Sequence, residues 1–455
     1  MVVAQRAQTL RALVRLLADA AETVIREWES ERALADTAEG TFAAHIPSPG
    51  LYEAGRVIVG ACGECIALVQ DPVERLLEVT TSTCAAKALQ IAARARVAEV
   101  LSQGDTDRGV SIQSISSQTG ISDKKLLQVL RCLTFNSIFA EPQRDHFANT
   151  ALSQRLVRND GLRCLITMWG DVGTAADKLP SVLFDPVKTH STSPREAAFQ
   201  VAYQTDLTLF EYLERGQNAP RFEGEPLHLE TWMVGMHTIG ETEAAASYVD
   251  YPWGALGSKF VVDVGGGVGG MSLELAKRYP QLNFVVQDRE AVTKKAEAVW
   301  AQALSRPGLE TGRVRFMPHD FFTEQPVKGA DIYLMRHILH DWSDEECTII
   351  LRHLREAMRP ESLLLVAEKV THTAAGSPHL KSAPAPLPPN YGYAQMVSGT
   401  YAIGMMSLLN GVERTPEEFI DLAEKAGLRL IKLWECRGLV HVIEMRRNDS
   451  SPMPK

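Results

Sequence analysis

The sequence predicts an α/β chain: a doubly wound, mostly parallel sheet in the C-terminal half, preceded by an α-helical region with a winged-helix-like unit. Three observations carry this. From residue 258 onward, seven short β-rich runs alternate with helical stretches. Residues 84–150 read as helix, helix, helix and hairpin. A glycine run, VDVGGGVGG, joins the first β-rich run to a helix. Strands that alternate with helices build a parallel sheet covered on both faces, with ligands at the strands' carboxyl ends.

Composition bounds the rest. The chain has 455 residues, 45% of them hydrophobic, enough for a sizeable core and two to three domains. Its net charge of -9 opposes broad binding to phosphate backbones, so no nucleic-acid partner is expected. Seven scattered cysteines, an odd number, indicate a reducing interior, and a cytoplasmic location is expected. Cys62 and Cys65 form a lone C-x-x-C within a helical stretch and lack a second Cys or His pair, so no metal is expected. No run approaches the roughly 18 apolar residues of a membrane span, and no membrane partner is expected.

Taken in order, residues 4–30 place Leu10, Leu13, Leu17, Val24 and Trp28 on a helical period, one apolar stripe that a partner subunit could cover. Residues 31–50 read as a linker, and a second helix follows at about 51–70. The Ala-rich run CAAKALQIAARARVAEVL opens the winged-helix-like unit. Two short helices follow, the second with Ser122 as its N-cap, and then the hairpin IFAE-PQRD-HFAN. DNA binding would be the sharp reading of such a unit, but Lys124, Lys125 and Arg131 are a meagre basic set, and a dimerisation scaffold fits better. Residues 151–250 read as mainly helical. Their aromatic clusters, such as FQVAYQTDLTLFEYL, suit either the wall of a pocket or an ordinary core. The seven β-rich runs are 260–264, 283–287, 314–318, 331–335, 363–368, 428–434 and 439–445. Between the last two, Glu435–Gly438 leaves no room for a crossover helix, so these strands should pair antiparallel. The Pro- and Ala-rich stretch at 371–390 reads as an irregular, mobile surface loop. The expected organisation is 1–80 helical, 81–160 winged-helix-like, 161–250 a helical pocket region and 251–447 the α/β domain.

The chemistry concentrates at the strand ends. Asp263 closes the first strand and a glycine run follows, where the backbone can turn sharply and approach a ligand. Gly265, Gly267 and Gly270 satisfy G-x-G-x-x-G, and Asp288 closes the second strand at a distance suited to ribose hydroxyls. These residues indicate an adenosine-type cofactor and leave its kind open. PHDFF (318–322) supplies Asp320 and Phe321, suited to an adenine edge and face. LMRHILHDWSDEEC (334–347) places a titratable cluster after the fourth strand, and NGVERTPEEF (410–419) adds an acid beside a helix start.

The blocks VDVGGGVGG, QDR, HDFF, RHILHDWSDEEC, VAE and GVERTPEEF, in this order, resemble the class I S-adenosylmethionine-dependent small-molecule O-methyltransferases of the plant caffeate and flavonoid type and the fungal polyketide-pathway type. The resemblance runs from about residue 84 to 445. It implies a Rossmann-like methyltransferase domain with a seven-stranded sheet whose last strand is antiparallel, after a winged-helix dimerisation domain. It also implies S-adenosyl-L-methionine as cofactor, a small aromatic or polyketide acceptor from secondary metabolism, and a homodimer through the N-terminal region. By the same resemblance His340 is the general base, followed by Asp341, and Glu368 and Glu413 flank and orient its imidazole. The resemblance also implies that Gly265, Gly267, Asp288 and Asp320 bind the cofactor, and Asp263 and Phe321 are expected beside them. Arg336 joins them, standing where the family usually has Lys. His337 reads as structural or pocket-lining.

This set suits methyl transfer to a hydroxyl. A phenol with a pKa near 10 is little ionised at neutral pH, and a His–carboxylate pair can take its proton as attack begins. Three other readings stand beside it. The chain could be an O-methyltransferase-like pericyclase that binds the cofactor without consuming it, with Arg336, His337 and the 371–390 loop as places where its pocket departs. It could be a winged-helix regulator with a vestigial enzyme domain. It could be a nicotinamide-dependent oxidoreductase, a reading that rests on the glycine spacing alone.

Overall fold

The computed structural model describes residues 3–35, 46–215, 227–304 and 312–450. Residue contacts divide the chain into two compact units. The smaller comprises 70–184 and 198–239, and the larger comprises 1–69, 185–197 and 240–455. No described helix is long and apolar enough to cross a membrane.

The smaller unit begins with the helix Pro72–Arg94, whose N-cap Asp71 accepts from the Val73 and Glu74 amides. Helices Ile112–Thr119 and Asp123–Thr134 follow. Strands β1 (Val110–Ser111), β2 (Phe139–Gln143) and β3 (His146–Asn149) make an antiparallel sheet in the order β1-β3-β2. Leu126, Leu130 and Phe147 are fully buried among the helices and the hairpin, completing the expected winged-helix arrangement. One detail differs. Ser122 makes no side-chain capping bond, and Asp123 Oδ1 instead accepts from the Lys124 amide at 2.7 Å. Arg131 is consumed by ion pairs to Glu141 (2.7 Å) and Asp145 (2.8 Å), which thins the basic surface further. Phe199, Tyr203 and Tyr212 stack on one another with centroids 4.7–5.8 Å apart and are buried, so this aromatic cluster is core.

The larger unit holds the seven-stranded sheet: β4 (Lys259–Val264), β5 (Leu282–Asp288), β6 (Val314–Pro318), β7 (Ile332–Arg336), β8 (Leu363–Lys369), β9 (Leu428–Trp434) and β10 (Val440–Arg447). Their order is β6-β5-β4-β7-β8-β10-β9. All neighbours are parallel except β10, which runs antiparallel to both β8 and β9. Every residue of β8 is buried, as expected of an apolar run in a sheet covered on both faces. Because the strands are parallel, Asp288, Pro318, Arg336 and Lys369 come to the same edge of the sheet, next to the loop that leaves β4. The helix after β7, Asp344–Ala357, starts in a capping box made by Ser343 and Glu346, and the helix Pro416–Lys425 starts in one made by Thr415 and Glu418.

The N-terminal helices Val3–Ala35 and Pro49–Val69 also belong to this unit. Leu13 and Val24, from the predicted stripe, are buried against Ala54, Val57, Leu387 and Tyr391 of the same chain, while Trp28 is exposed. The stripe is thus largely covered from within, and residues 36–45 of the expected linker lie outside the described residues. The stretch 371–390 is irregular as expected, but it is anchored and not a free surface loop. Leu380 and Leu387 are buried, and Tyr391 donates to Glu53 at 2.6 Å under the Arg56 guanidinium. Small residues on helix Pro49–Val69 allow this approach: a Cβ on Gly60 would come within 2.4 Å of the Tyr391 carbonyl oxygen.

Candidate active site

The candidate site lies wholly in the larger unit, at the carboxyl edge of the parallel strands. On one side is the glycine loop. Gly265 and Gly267 have φ of +68° and +60°, the left-handed region that a side chain strains to occupy. A Cβ at Gly265 would come within 2.6 Å of Ile338, whereas at Gly267 it would meet nothing within 4 Å among the described residues. The Gly267 backbone therefore faces open space while its amide donates to Asp288 Oδ2 at 2.9 Å. Asp288 is further held by the Arg289 amide, and burial raises its pKa. Asp263 is buried beneath the loop, accepts from Ser272 Oγ at 2.6 Å, and is pushed by burial up to about 6. Phe321 lies against the loop and packs edge-on to Trp342. Asp320 is exposed and closes its own turn by accepting from the Phe322 amide. Arg336 donates to the Tyr248 hydroxyl and lies beside Gly240 and Gly270.

On the other side is a buried titratable cluster on the turn after β7. His340 Nδ1 is 2.9 Å from Glu413 Oε1, a charge-assisted hydrogen bond. Asp341 Oδ1 lies 3.5 Å from His340 Nε2, and Glu368 Oε2 lies 3.9 Å from Nδ1. Burial favours the neutral imidazole. Glu368, Asp341 and Glu413 override it and push the His340 pKa up to about 9. Asp341 is itself pushed up to about 7, by burial first and opposed by His340. The cluster titrates as one unit. The two flanking glutamates do different work. Glu413 bonds the ring directly. Glu368 is fully buried, and its Oε1 accepts from the Ile338 and Leu339 amides, both at 2.9 Å, so it pins the turn that carries the ring.

Several residues that hold the cluster escaped the sequence reading. The Val412 amide donates to the His340 carbonyl at 2.9 Å, and a Cβ on Gly411 would sit 2.3 Å from that same oxygen. Gly411 thus lets the 411–415 loop lie against the histidine turn. Arg414 is fully buried, bonds the carbonyls of Leu339 and Trp342, and pairs with Asp344. It clamps both segments together. These residues sit within the GVERT block, so the block was visible although its clamp was not. Lys369, buried at the end of β8, pairs with Glu243 at 2.9 Å and lies over the Tyr401 ring. His337 has φ of +54°, and neither ring nitrogen has a hydrogen-bond partner among the described residues. Burial, then Lys369 and His340, hold its pKa well below the usual imidazole range.

A sheet of this order, with a glycine loop after its first strand, an acid after its second and a buried His–carboxylate pair after its fourth, defines a nucleoside-cofactor transferase. The comparisons with known proteins agree. A family of O-methyltransferase domains matches residues 254–429. O-methyltransferase gedA of Aspergillus terreus is 38% identical over 465 residues, which cover 96% of this chain and 96% of that one. The structure of the mitomycin 7-O-methyltransferase MmcR superposes with a TM-score of 0.63 at 26% identity, over 82% of this chain and 97% of that one. A structure described as a pericyclic reaction enzyme superposes with a TM-score of 0.65 at 21% identity, over 94% of this chain and 100% of that one, and shares the fold. The chain belongs to the S-adenosylmethionine-dependent O-methyltransferase family.

Proposed function

We propose that this enzyme methylates a hydroxyl of a small aromatic or polyketide-type secondary metabolite, with His340 as the general base. The observation that carries this reading is the buried 2.9 Å bond from His340 to Glu413, set on a turn pinned by Glu368 and clamped by Arg414. The loop suits the cofactor on its own evidence: Gly267 presents bare backbone to open space beside Asp288, and Phe321 offers an aromatic face. Gly265, Gly267 and Asp288, with Asp263, Asp320, Phe321 and Arg336 around them, would hold it. When bound, S-adenosylmethionine supplies an electrophilic methyl group. The chain's own contribution is to align the acceptor oxygen, exclude water and remove a proton. Glu413 fixes the ring, and Asp341 and Glu368 stabilise the imidazolium that forms when His340 takes the acceptor's proton. General-base assistance of this kind is worth roughly a hundredfold to ten-thousandfold.

The intact pair of His340 and Glu413 favours transfer over the pericyclase reading, for which the shared fold is the support. Residues 251–447 are proposed to form the cofactor-binding domain, and 1–160 to serve dimerisation. For the homodimer, the support in the smaller unit is the exposed row Val73, Leu76, Leu77 and Val79. The test is incubation with methyl-labelled S-adenosylmethionine and a panel of hydroxylated aromatics and polyketides, followed by mass spectrometry. A product heavier by one labelled methyl supports the proposal. An acceptor converted without gaining a methyl overturns it.

A further inference from the structure

Four buried polar atoms beside the proposed base have no hydrogen-bond partner among the described residues: both ring nitrogens of His337, Glu368 Oε2 and Glu413 Oε2. Buried polar atoms in folded proteins are nearly always satisfied, so a group of them in one place calls for an occupant. One ligand atom each from His337, His340 and Glu368 falls within 4.8 Å of the others. Glu368 Oε2 lies between the two imidazoles, 3.7 Å from His337 Nδ1 and 3.9 Å from His340 Nδ1. Donors at tetrahedral zinc, with bonds of about 2.0–2.1 Å, stand about 3.3 Å apart. The two imidazole nitrogens therefore reach coordinating distance from Glu368 Oε2 by closing in about 0.5 Å, and the widest separation, within 4.8 Å, closes by at most about 1.5 Å.

We propose that His337, His340, Glu368 and Glu413 form a binding site for a single zinc ion, and that zinc bound there inhibits the enzyme by occupying the lone pair of His340. Two imidazoles and two carboxylates are a donor set that zinc takes readily, with His and Glu ligands. A water could meet the hydrogen-bonding need but would leave the surplus of carboxylate charge uncompensated. His337 suits the role because its surroundings keep it neutral, the form in which imidazole binds a metal. Glu413 Oε1 already sits 2.9 Å from His340 Nδ1, where it can become the fourth donor once the proton between them leaves. Binding then releases that proton to solvent wherever His340 is protonated, with no change of oxidation state. The inhibition, though not the binding, rests on the reading of His340 as the base.

The experiment uses the full chain carrying Cys62→Ser and Cys65→Ser, so that the thiol pair on the helix Pro49–Val69 cannot bind metal. The protein is stripped with chelator and titrated with zinc chloride by calorimetry, and with cobalt(II) by visible absorption. His337→Asn removes the donor and His337→Asp replaces it, and both residue types tolerate a positive φ. The expected result is one ion per chain and a cobalt spectrum of four-coordinate type. His337→Asn should lose at least about tenfold in affinity, since even outer-shell losses at metal sites cost that much. His337→Asp should bind within a few-fold of the parent. Zinc should suppress methyl transfer by the parent at the concentration that fills the site, and spare His337→Asn relative to its own zinc-free rate. Equal zinc affinity in the parent and His337→Asn overturns the site, as does absence of saturable binding. Saturable, His337-dependent binding that leaves transfer undiminished overturns the inhibition, and with it the role of His340 as base.

Discussion

Replacing Glu413 by Gln tests how the cluster sets the chemistry of His340. Glu413 is one of three carboxylates that hold the imidazole pKa up near about 9, and the one in direct contact at 2.9 Å. Gln keeps the shape and offers a neutral acceptor to the same nitrogen. A hydrogen bond to a charged group contributes about 1.5–3 kcal/mol against about 1 for a neutral one. The net loss of about 0.5–2 kcal/mol corresponds to roughly one pKa unit. The sign follows from the role. A base must be deprotonated, so kcat/KM should climb with pH and level off near about 9 in the wild type. In Glu413→Gln it should level off about one pH unit earlier, at a plateau roughly tenfold to a hundredfold lower because the ring is less basic and less firmly held. The folded state should respond in parallel. A His whose pKa is raised on folding stabilises the protein fully below its unfolded value near 6.5, and loses that contribution as pH rises through about 9. The assay is the pH dependence of kcat/KM for both proteins with one acceptor. A midpoint that does not move on mutation refutes the assignment of Glu413 as the group that tunes the base.

Three further substitutions probe the supports. Gly411→Ala places a Cβ 2.3 Å from the His340 carbonyl oxygen, so the loop must shift; transfer should fall by about tenfold to a hundredfold through misalignment, measured as kcat at saturating cofactor. Arg414→Met leaves the Leu339 and Trp342 carbonyls with only weak donors, the Cys347 thiol at both and a long bond from the Trp342 amide at Leu339, and should lower stability by about 2–4 kcal/mol in urea titration, the modest end for a buried ion because Asp344 is half exposed. Gly60→Val drives a Cβ into the Tyr391 carbonyl, and should cost about 1–3 kcal/mol and speed proteolytic cleavage between 371 and 395.

Much of this architecture is legible along the chain because its determinants are local. β8 is a continuous apolar run and is buried throughout, and the short Glu435–Gly438 connection by itself forces an antiparallel turn. The glycine loop and the acid after β5 were readable for the same reason, since each lies where a strand ends. What was not legible depends on partners distant in sequence. Gly60 looks like any helical glycine until Tyr391, more than three hundred residues on, packs on it. The stripe at Leu13 and Val24 asks for a cover without saying that its own chain supplies one. Glu368 and Glu413 looked equivalent as flanking acids. Only their geometry separates the one that bonds backbone amides from the one that bonds the imidazole.

The central claim is that His340 removes the acceptor's proton, and the most direct measurement is single-turnover methyl transfer by wild type and His340→Ala with labelled S-adenosylmethionine at saturating acceptor. The account predicts unchanged cofactor binding and a transfer rate lower by roughly a hundredfold to ten-thousandfold in the variant, with the loss shrinking as pH approaches the acceptor's own pKa. Transfer by His340→Ala at the wild-type rate would contradict it.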